Sequence, residues 1–574
     1  MKNYLHQCQQ VGLILTSSFA LLNSGAVNAN ILVPPSPFKG LNGINFDAAG
    51  QLYVGSVAEQ TLYNIDINTG QSQTFIGSPQ GQGDDFIFTS TGEMLYTATI
   101  SGEVRKFDPT TQTVSTIVSN LPGVNPIIQK DDGRVFVAQS LTTQGNGLYE
   151  IDPTGVQAPR FISNNPGFLN SFDFGPDGLL YSPIQFGGAI VKIDVDTGNT
   201  LPVASGLLSP TSAKFNSLGE LFALDTAAGQ VVKVDTNTGQ TEVIVSLTPG
   251  LDTMAFSSSD LLYVTHTIDS SVYEINTNTK EVRNVIEGSG LTLPNGIAAF
   301  DNQLYVADTY SYRIINTDTG AIEQTIPYFA GQPQFPINTS VNNDHILASS
   351  WFDGSVQRLD RNTSSVLNTY GDFVAPFDAI ELADGTILVA DCGLGQVTHI
   401  LNEQGDNRQA AASNLFCPTG LAVIDANHVL VTEFLANRLS IINLLTGEVE
   451  IIATDLSQPE GVAYHSNGIA VVAETGSQSL RAIDVNTGKS EILAANLPIG
   501  LTGVAGGPPP YSMTGVTLLD DTIYLAGDLD NSIRTFELSP NMFQSVPEKS
   551  SPWSLLALGI VGLGLTLKSR IWKS

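Results

Sequence analysis

The feature that most constrains this chain is a unit of about 40 residues that recurs along most of its length. It reads NGINFDAAGQLYVGSVAEQTLYNIDINTGQSQTFIG from Asn42, NGIAAFDNQLYVADTYSYRIINTDTGAIEQTI from Asn295 and EGVAYHSNGIAVVAETGSQSLRAIDVNTGKSEILA from Glu460. Each copy holds four short runs, A to D, typified by GIAAF, QLYVAD, QVVKVD and TEVIV. Val, Ile, Tyr and Leu in such runs suit a pleated, half-buried surface. A turn motif separates C from D: Asp66 to Gly70, Asp194 to Gly198, Asp235 to Gly239, Asn316 to Gly320 and Asp484 to Gly488. Its Asp or Asn accepts local backbone N–H groups, and its Gly supplies positive φ. Each unit is therefore predicted to be a four-stranded antiparallel meander, the blade of a β-propeller.

Twelve such units are predicted, entering strand A at Asn42, Asp84, Asn125, Asn170, Thr211, Asp252, Asn295, near Ile337, Asp378, Thr419, Glu460 and Thr514. Propellers typically close with four to eight blades. The fold class is thus all-β, tandem propellers, with two six-bladed rings preferred over seven plus five. The twelfth unit lacks a D run after Phe536, and Ile31-Leu32-Val33 is a spare apolar run that would fill that place.

The segment LPNGIAAFDNQLYVADTYSYRI, from Leu293 to Ile314, resembles a blade of the NHL and SMP-30-like propellers, six-bladed and TolB-like. The resemblance extends over most of residues 31–538 and implies fold more than activity.

Both ends resemble addresses. Lys2, the apolar stretch Val11 to Leu22 and Val27-Asn28-Ala29 make a signal-peptide pattern with cleavage before Asn30. At the other end stand Val546-Pro547-Glu548, an apolar run from Trp553 to Leu567, and the basic residues Lys568, Arg570 and Lys573. This order resembles a PEP-CTERM sorting signal, with Lys549 where that family has a second proline. The resemblance implies processing by an exosortase-type enzyme and delivery to a bacterial cell surface or extracellular matrix. A plain C-terminal membrane anchor is the alternative. The predicted division is 1–29 signal peptide, 30–280 first propeller, 281–540 second propeller and 541–574 sorting or transmembrane tail.

A net charge of −31 argues against nucleic acid as a partner and is compatible with cations, sugars or neutral ligands. The residues entering strand A should surround the mouth of each channel. Asn295, Asp378 and Glu460 fall on alternate blades, and two carboxylates with an amide oxygen form a hard-cation set suited to Ca²⁺ or another divalent ion. SMP-30-like lactonases are similar in holding a divalent cation with Glu, Asn and Asp, although only Asn295 lies in a closely matching motif. The other reading is that these side chains cap the turn before strand A. Asp225, Asp308, Asp391, Glu433 and Glu474, which follow strand B, are expected to anchor neighbouring loops.

Cys392 and Cys417 should lie on one face of adjacent blades, as a disulfide or as two buried thiols. Thr487-Gly488-Lys489-Ser490 lacks the earlier Gly of a P-loop, and there is no GxSxG or HExxH. The loop from Pro498 to Met513 should cross the ligand-bearing face as a lid, partner site or connector. Two functions follow as expectations: an exported binding or scaffold protein, with extracellular polysaccharide or envelope proteins as partners, or a divalent-cation-dependent lactonase or hydrolase.

Overall fold

The computed structural model describes residues 29–140, 146–164, 167–328, 333, 335–503, 507–539 and 542–543. The expected leader, apart from residue 29, and the Val546-Pro547-Glu548 motif with its tail lie outside the described residues. Among the described residues no helix is long and apolar enough to cross a membrane.

The described residues form twelve four-stranded antiparallel sheets, in eleven of which the strands neighbour one another in chain order. The C–D turns form as their side chains dictate. At Asp66 the carboxylate accepts the N–H of Asn68 at 2.8 Å and that of Thr69 at 3.3 Å, while Gly70 N–H donates to the Asp66 carbonyl at 2.8 Å. Gly70 sits at φ +70°, the left-handed region that a side chain would resist.

The apolar clusters show how the sheets are joined, because all but two of them lie between two neighbouring blades. Leu52, Val54 and Tyr63 of blade one pack on Ala255, Tyr263 and Val272 of blade six. Leu304, Val306 and Ile315 of blade seven pack on Tyr524, Ala526 and Ile533 of blade twelve. Ten further clusters join consecutive blades. The result is two closed rings of six blades, and a seven-plus-five division is excluded.

Blade six runs to the strand Val282–Ile286, and blade seven begins at Ile297–Phe300. Residue 280 falls in the turn between the last two strands of blade six, so the first ring continues past the expected boundary.

Strand β1 (Asn30–Val33) does not belong to the ring that follows it in sequence. It pairs antiparallel with Ser532–Glu537, with Ile31 opposite Arg534 and Val33 opposite Ile533. It supplies the outer strand that blade twelve lacks, as the spare apolar run suggested. Val33 is buried with Leu291, Ile297 and Ile533.

At the seam of the second ring, Gly296 and Gly515 come together. A Cβ on Gly296 would lie 2.4 Å from the Asn338 Cα, and one on Gly515 would lie 2.7 Å from the Gly296 Cα. The Gly after Asn295 is thus required by the close approach of inner strands.

Candidate functional site: a cleft between the rings

The residues that enter strand A of the first ring are short polar side chains at a channel mouth. Asn42, Asp84, Asn125, Asn170 and Asp252 all line one cleft, together with Gln185. Thr211 does not line it; its hydroxyl donates to the Asp252 carbonyl at 2.6 Å and ties blade five to blade six. Asn42 Nδ2 donates to Asp252 Oδ2 at 3.0 Å, and Thr99 Oγ1 donates to Asp84 Oδ2 at 3.0 Å.

The opposite wall comes from the second ring and is aromatic: Tyr310, Tyr328, Phe335, Trp351, Phe352 and Tyr511. Tyr310 and the Trp351-Phe352 pair follow strands Gln303–Asp308 and His345–Ser350, where the chain leaves the sheet on the face turned to the first ring. Trp351 Nε1 donates to the Tyr511 carbonyl at 3.1 Å, and the rings of Tyr328 and Phe335 lie 4.4 Å apart. Together the walls enclose about 770 Å³, part of it open to solvent. The cavity proper is about 80 Å³. Its lining, aromatic with a few polar groups, is of the kind that small-molecule sites have.

Contacts beside the cleft hold the rings together. Ala58 and Ile268 pack on Leu293 and Tyr310. Arg313 Nη2 donates to the Ile268 carbonyl at 2.7 Å. A Cβ on Gly40, at φ +75°, would meet the Tyr310 ring at 2.4 Å. From the Pro498–Met513 loop, the Thr502 carbonyl accepts Gln60 Nε2 at 3.2 Å and Tyr511 enters the cleft.

The set expected to bind a cation lies in the second ring and is otherwise engaged. Asn295 Oδ1 accepts Ser512 Oγ at 2.5 Å and Met513 N–H at 3.3 Å, and its Nδ2 donates to Thr309 Oγ1 at 2.6 Å. Asp378 accepts the N–H of Ala379 at 2.8 Å and of Leu421 at 2.7 Å. Glu460 accepts Thr514 N–H at 2.6 Å and Thr475 Oγ1 at 3.1 Å. These are links between neighbouring inner strands and loops. Asp378 borders the second ring's own channel; Asn295 and Glu460 do not. Among the described residues no three His, Cys, Asp or Glu side chains gather closely enough to hold a metal ion.

The acids at the end of strand B anchor loops. Asp225 accepts the N–H groups of Leu208 and Ser209, Asp391 those of Val374 and Ala375, and Asp308 those of Thr292 and Leu293. Glu433 accepts Phe416 N–H and Glu474 accepts Ser457 N–H, and these two also pair with Arg438 and Arg481 at 2.6 and 2.8 Å. Cys392 and Cys417 are bonded to each other, with 2.04 Å between sulfurs. Cys392 packs beside Trp351 and Met513, next to the cleft.

Burial raises the pKa of several inner carboxyls. Asp84 is pushed up to about 8, by burial first and by the nearby Asp252 second. Asp252 is raised by burial. Glu460 is raised to about 8, Asp378 to about 7 and Asp85 to about 6, in each case chiefly by burial. These groups keep their protons in the folded chain at pH values where an unfolded carboxylate has lost its own. Their contribution to stability is complete below the unfolded pKa near 4 and is lost as pH rises through about 6 to 8. The unfolding temperature should therefore fall between about pH 5 and about pH 9. Calorimetry of the wild type and of Asp84→Asn/Glu460→Gln checks this: the double variant should show a shallower decline, and an equal decline would discard these two groups as its source.

No protein-family model matches the chain, and among the curated proteins none matches. Among solved structures, a virginiamycin B lyase from Staphylococcus aureus is similar over 49% of this chain and 96% of its own, with 14% identity and a TM-score of 0.36. A structure described as a putative gluconolactonase is similar over 46% and 95%, with 13% identity and a TM-score of 0.37. The extracellular domain of a putative hybrid two-component system from B. thetaiotaomicron is similar over 87% and 76%, with 13% identity and a TM-score of 0.30. The propeller assignment itself rests on the twelve sheets and their closure.

Proposed function

We propose that the protein is an exported, surface-delivered binding protein whose ligand occupies the cleft between its two propellers. The observation that carries this reading is the joint lining: a polar channel mouth from one ring and an aromatic wall from the other. Neither ring has both, so the pairing of rings makes the site. Export is supported by the leader-like N-terminus and by a cysteine pair that needs an oxidising compartment to persist. In this reading an exosortase-type enzyme acts on the tail, and the outer walls of the rings are free to meet extracellular polysaccharide or envelope proteins. The alternative, a Ca²⁺-dependent lactonase, would require Asn295, Asp378 and Glu460 to release their present hydrogen-bond partners.

The test is thermal stabilisation of the full chain by a panel of sugars, amines and lactones, with Asn125→Ala and Asp378→Asn beside the wild type. Asn125 is buried in the cleft, and its amide has no hydrogen-bond partner among the described residues. Its loss therefore removes a ligand contact and little else. The reading predicts compounds that raise the unfolding temperature of wild type and Asp378→Asn but not of Asn125→Ala. Calcium-dependent turnover of a lactone, abolished in Asp378→Asn, would replace it with the hydrolase.

A further inference from the structure

We infer that the inter-ring cleft selects an organic ammonium ion with an apolar body, held by the Asp84 and Asp252 carboxylates against the aromatic wall of the second ring. This rests on the cleft being a ligand site and adds the class of ligand.

Charge is the first argument. Two carboxyl side chains line the cleft, and among the described residues no Lys, Arg or His does. An anion would meet both acids, whereas a cation draws them into their carboxylate forms, offsetting the burial that otherwise keeps Asp84 protonated near neutral pH, and lies against the rings of Tyr310, Tyr328 and Trp351. Aromatic faces carry negative potential and attract ammonium groups, most strongly where water is excluded.

The supply of acceptors is the second. Asp84 Oδ2 accepts the Thr99 hydroxyl, but Oδ1 has no partner among the described residues. Asp252 Oδ2 accepts Asn42 Nδ2 and Thr267 Oγ1, and its Oδ1 likewise has none. Asp84, Asp252 and Asn125 are 7%, 9% and 5% exposed. These oxygens face the cleft with acceptor capacity unused by the protein, and a ligand that donates N–H groups can take it up. A bare metal ion would leave the aromatic wall unused, and the cleft gathers only two carboxylates for it.

The probes are 2-phenylethylamine, an ammonium ion near neutral pH, and its uncharged analogue 2-phenylethanol, titrated by calorimetry into the full chain. The amine should bind about tenfold more tightly than the alcohol. Asp84→Asn should weaken the amine by about the same factor and leave the alcohol unchanged. The wild-type comparison needs no variant, so a misfolded Asp84→Asn would not spoil the test. Equal binding of the two probes, both lost in Asn125→Ala, would overturn the ammonium class while keeping the cleft as a binding site. Failure of both probes, with a neutral compound from the panel stabilising the wild type through Asn125, would do the same. If no compound of either kind binds, the inference and the binding reading fall together.

Discussion

Removing β1, residues 30–33, should open blade twelve and make the second ring unfold well below the temperature of the first. The deletion bares the edge of the strand Ser532–Glu537 and takes Val33 out of the cluster that joins blades seven and twelve. Burial of a Val side chain is worth about 1.5–3 kcal/mol and each net ladder hydrogen bond about 1 kcal/mol, so the loss comes to about 5 kcal/mol. In a unit of this size that is about 10 °C or more. Calorimetry of the full chain should then show two separated transitions. A synthetic peptide of sequence NILVP, added in excess, should bring them back together. A single unaltered transition would mean that blade twelve closes without this strand.

The second large effect is expected at Asp308. Its carboxylate is fully buried, accepts the Thr292 and Leu293 N–H groups, and pairs with Arg313 at 3.1 Å. Arg313 is itself buried and reaches across to the first ring through the Ile268 carbonyl. Asp308→Ala leaves that guanidinium without its counter-charge, which costs about 3–5 kcal/mol in a buried site. Asp225→Ala is the control, since Asp225 anchors the equivalent loop but forms no ion pair among the described residues. It should cost about 1–3 kcal/mol. The double variant Asp308→Ala/Arg313→Met should recover part of the loss, because it removes the stranded charge. Urea unfolding of the variants separates these outcomes. Equal losses for Asp308→Ala and Asp225→Ala would show that the pair with Arg313 adds nothing.

The rings were legible in the sequence because their causes are local. A turn such as Asp66 to Gly70 is specified by five consecutive residues, and alternation within each run decides which side is buried. Even so, the motif understates the count. Lys280, at φ +63°, and Ser364, at φ +57°, hold the turn position that Gly holds elsewhere. The missing outer strand of blade twelve could also be read, since an unpaired edge and a spare apolar run at the far end imply each other.

The site was only half legible. Asn42, Asp84, Asn125, Asn170 and Asp252 were placed at a channel mouth by repeat position alone. That this mouth faces the second ring depends on how the rings dock, and no repeat encodes that. Tyr310 and Trp351-Phe352 are bulkier than their counterparts in most blades. Phe186 stands at a similar place in blade four and is largely exposed, so bulk alone does not mark the wall. The choice of Asn295, Asp378 and Glu460 followed residue type, but their oxygens serve backbone N–H and hydroxyl groups of neighbouring inner strands and loops that only the closed ring brings near.

The position of β1 has a further consequence for the cleft. Because the second ring owns the first strand among the described residues, the first ring is inserted within the second, with covalent tethers on both sides, residues 34–43 and 287–296. A single tether would let one ring swivel on the other; two separate attachments leave chiefly a rocking motion about the line between them. A protease cut within 287–296 would leave the halves joined through residues 34–43 and β1, and a cut within 34–43 would leave them joined through 287–296. The shape of the cleft is therefore largely fixed by the chain itself, and under the proposed binding function less ordering would remain to be done when a ligand enters.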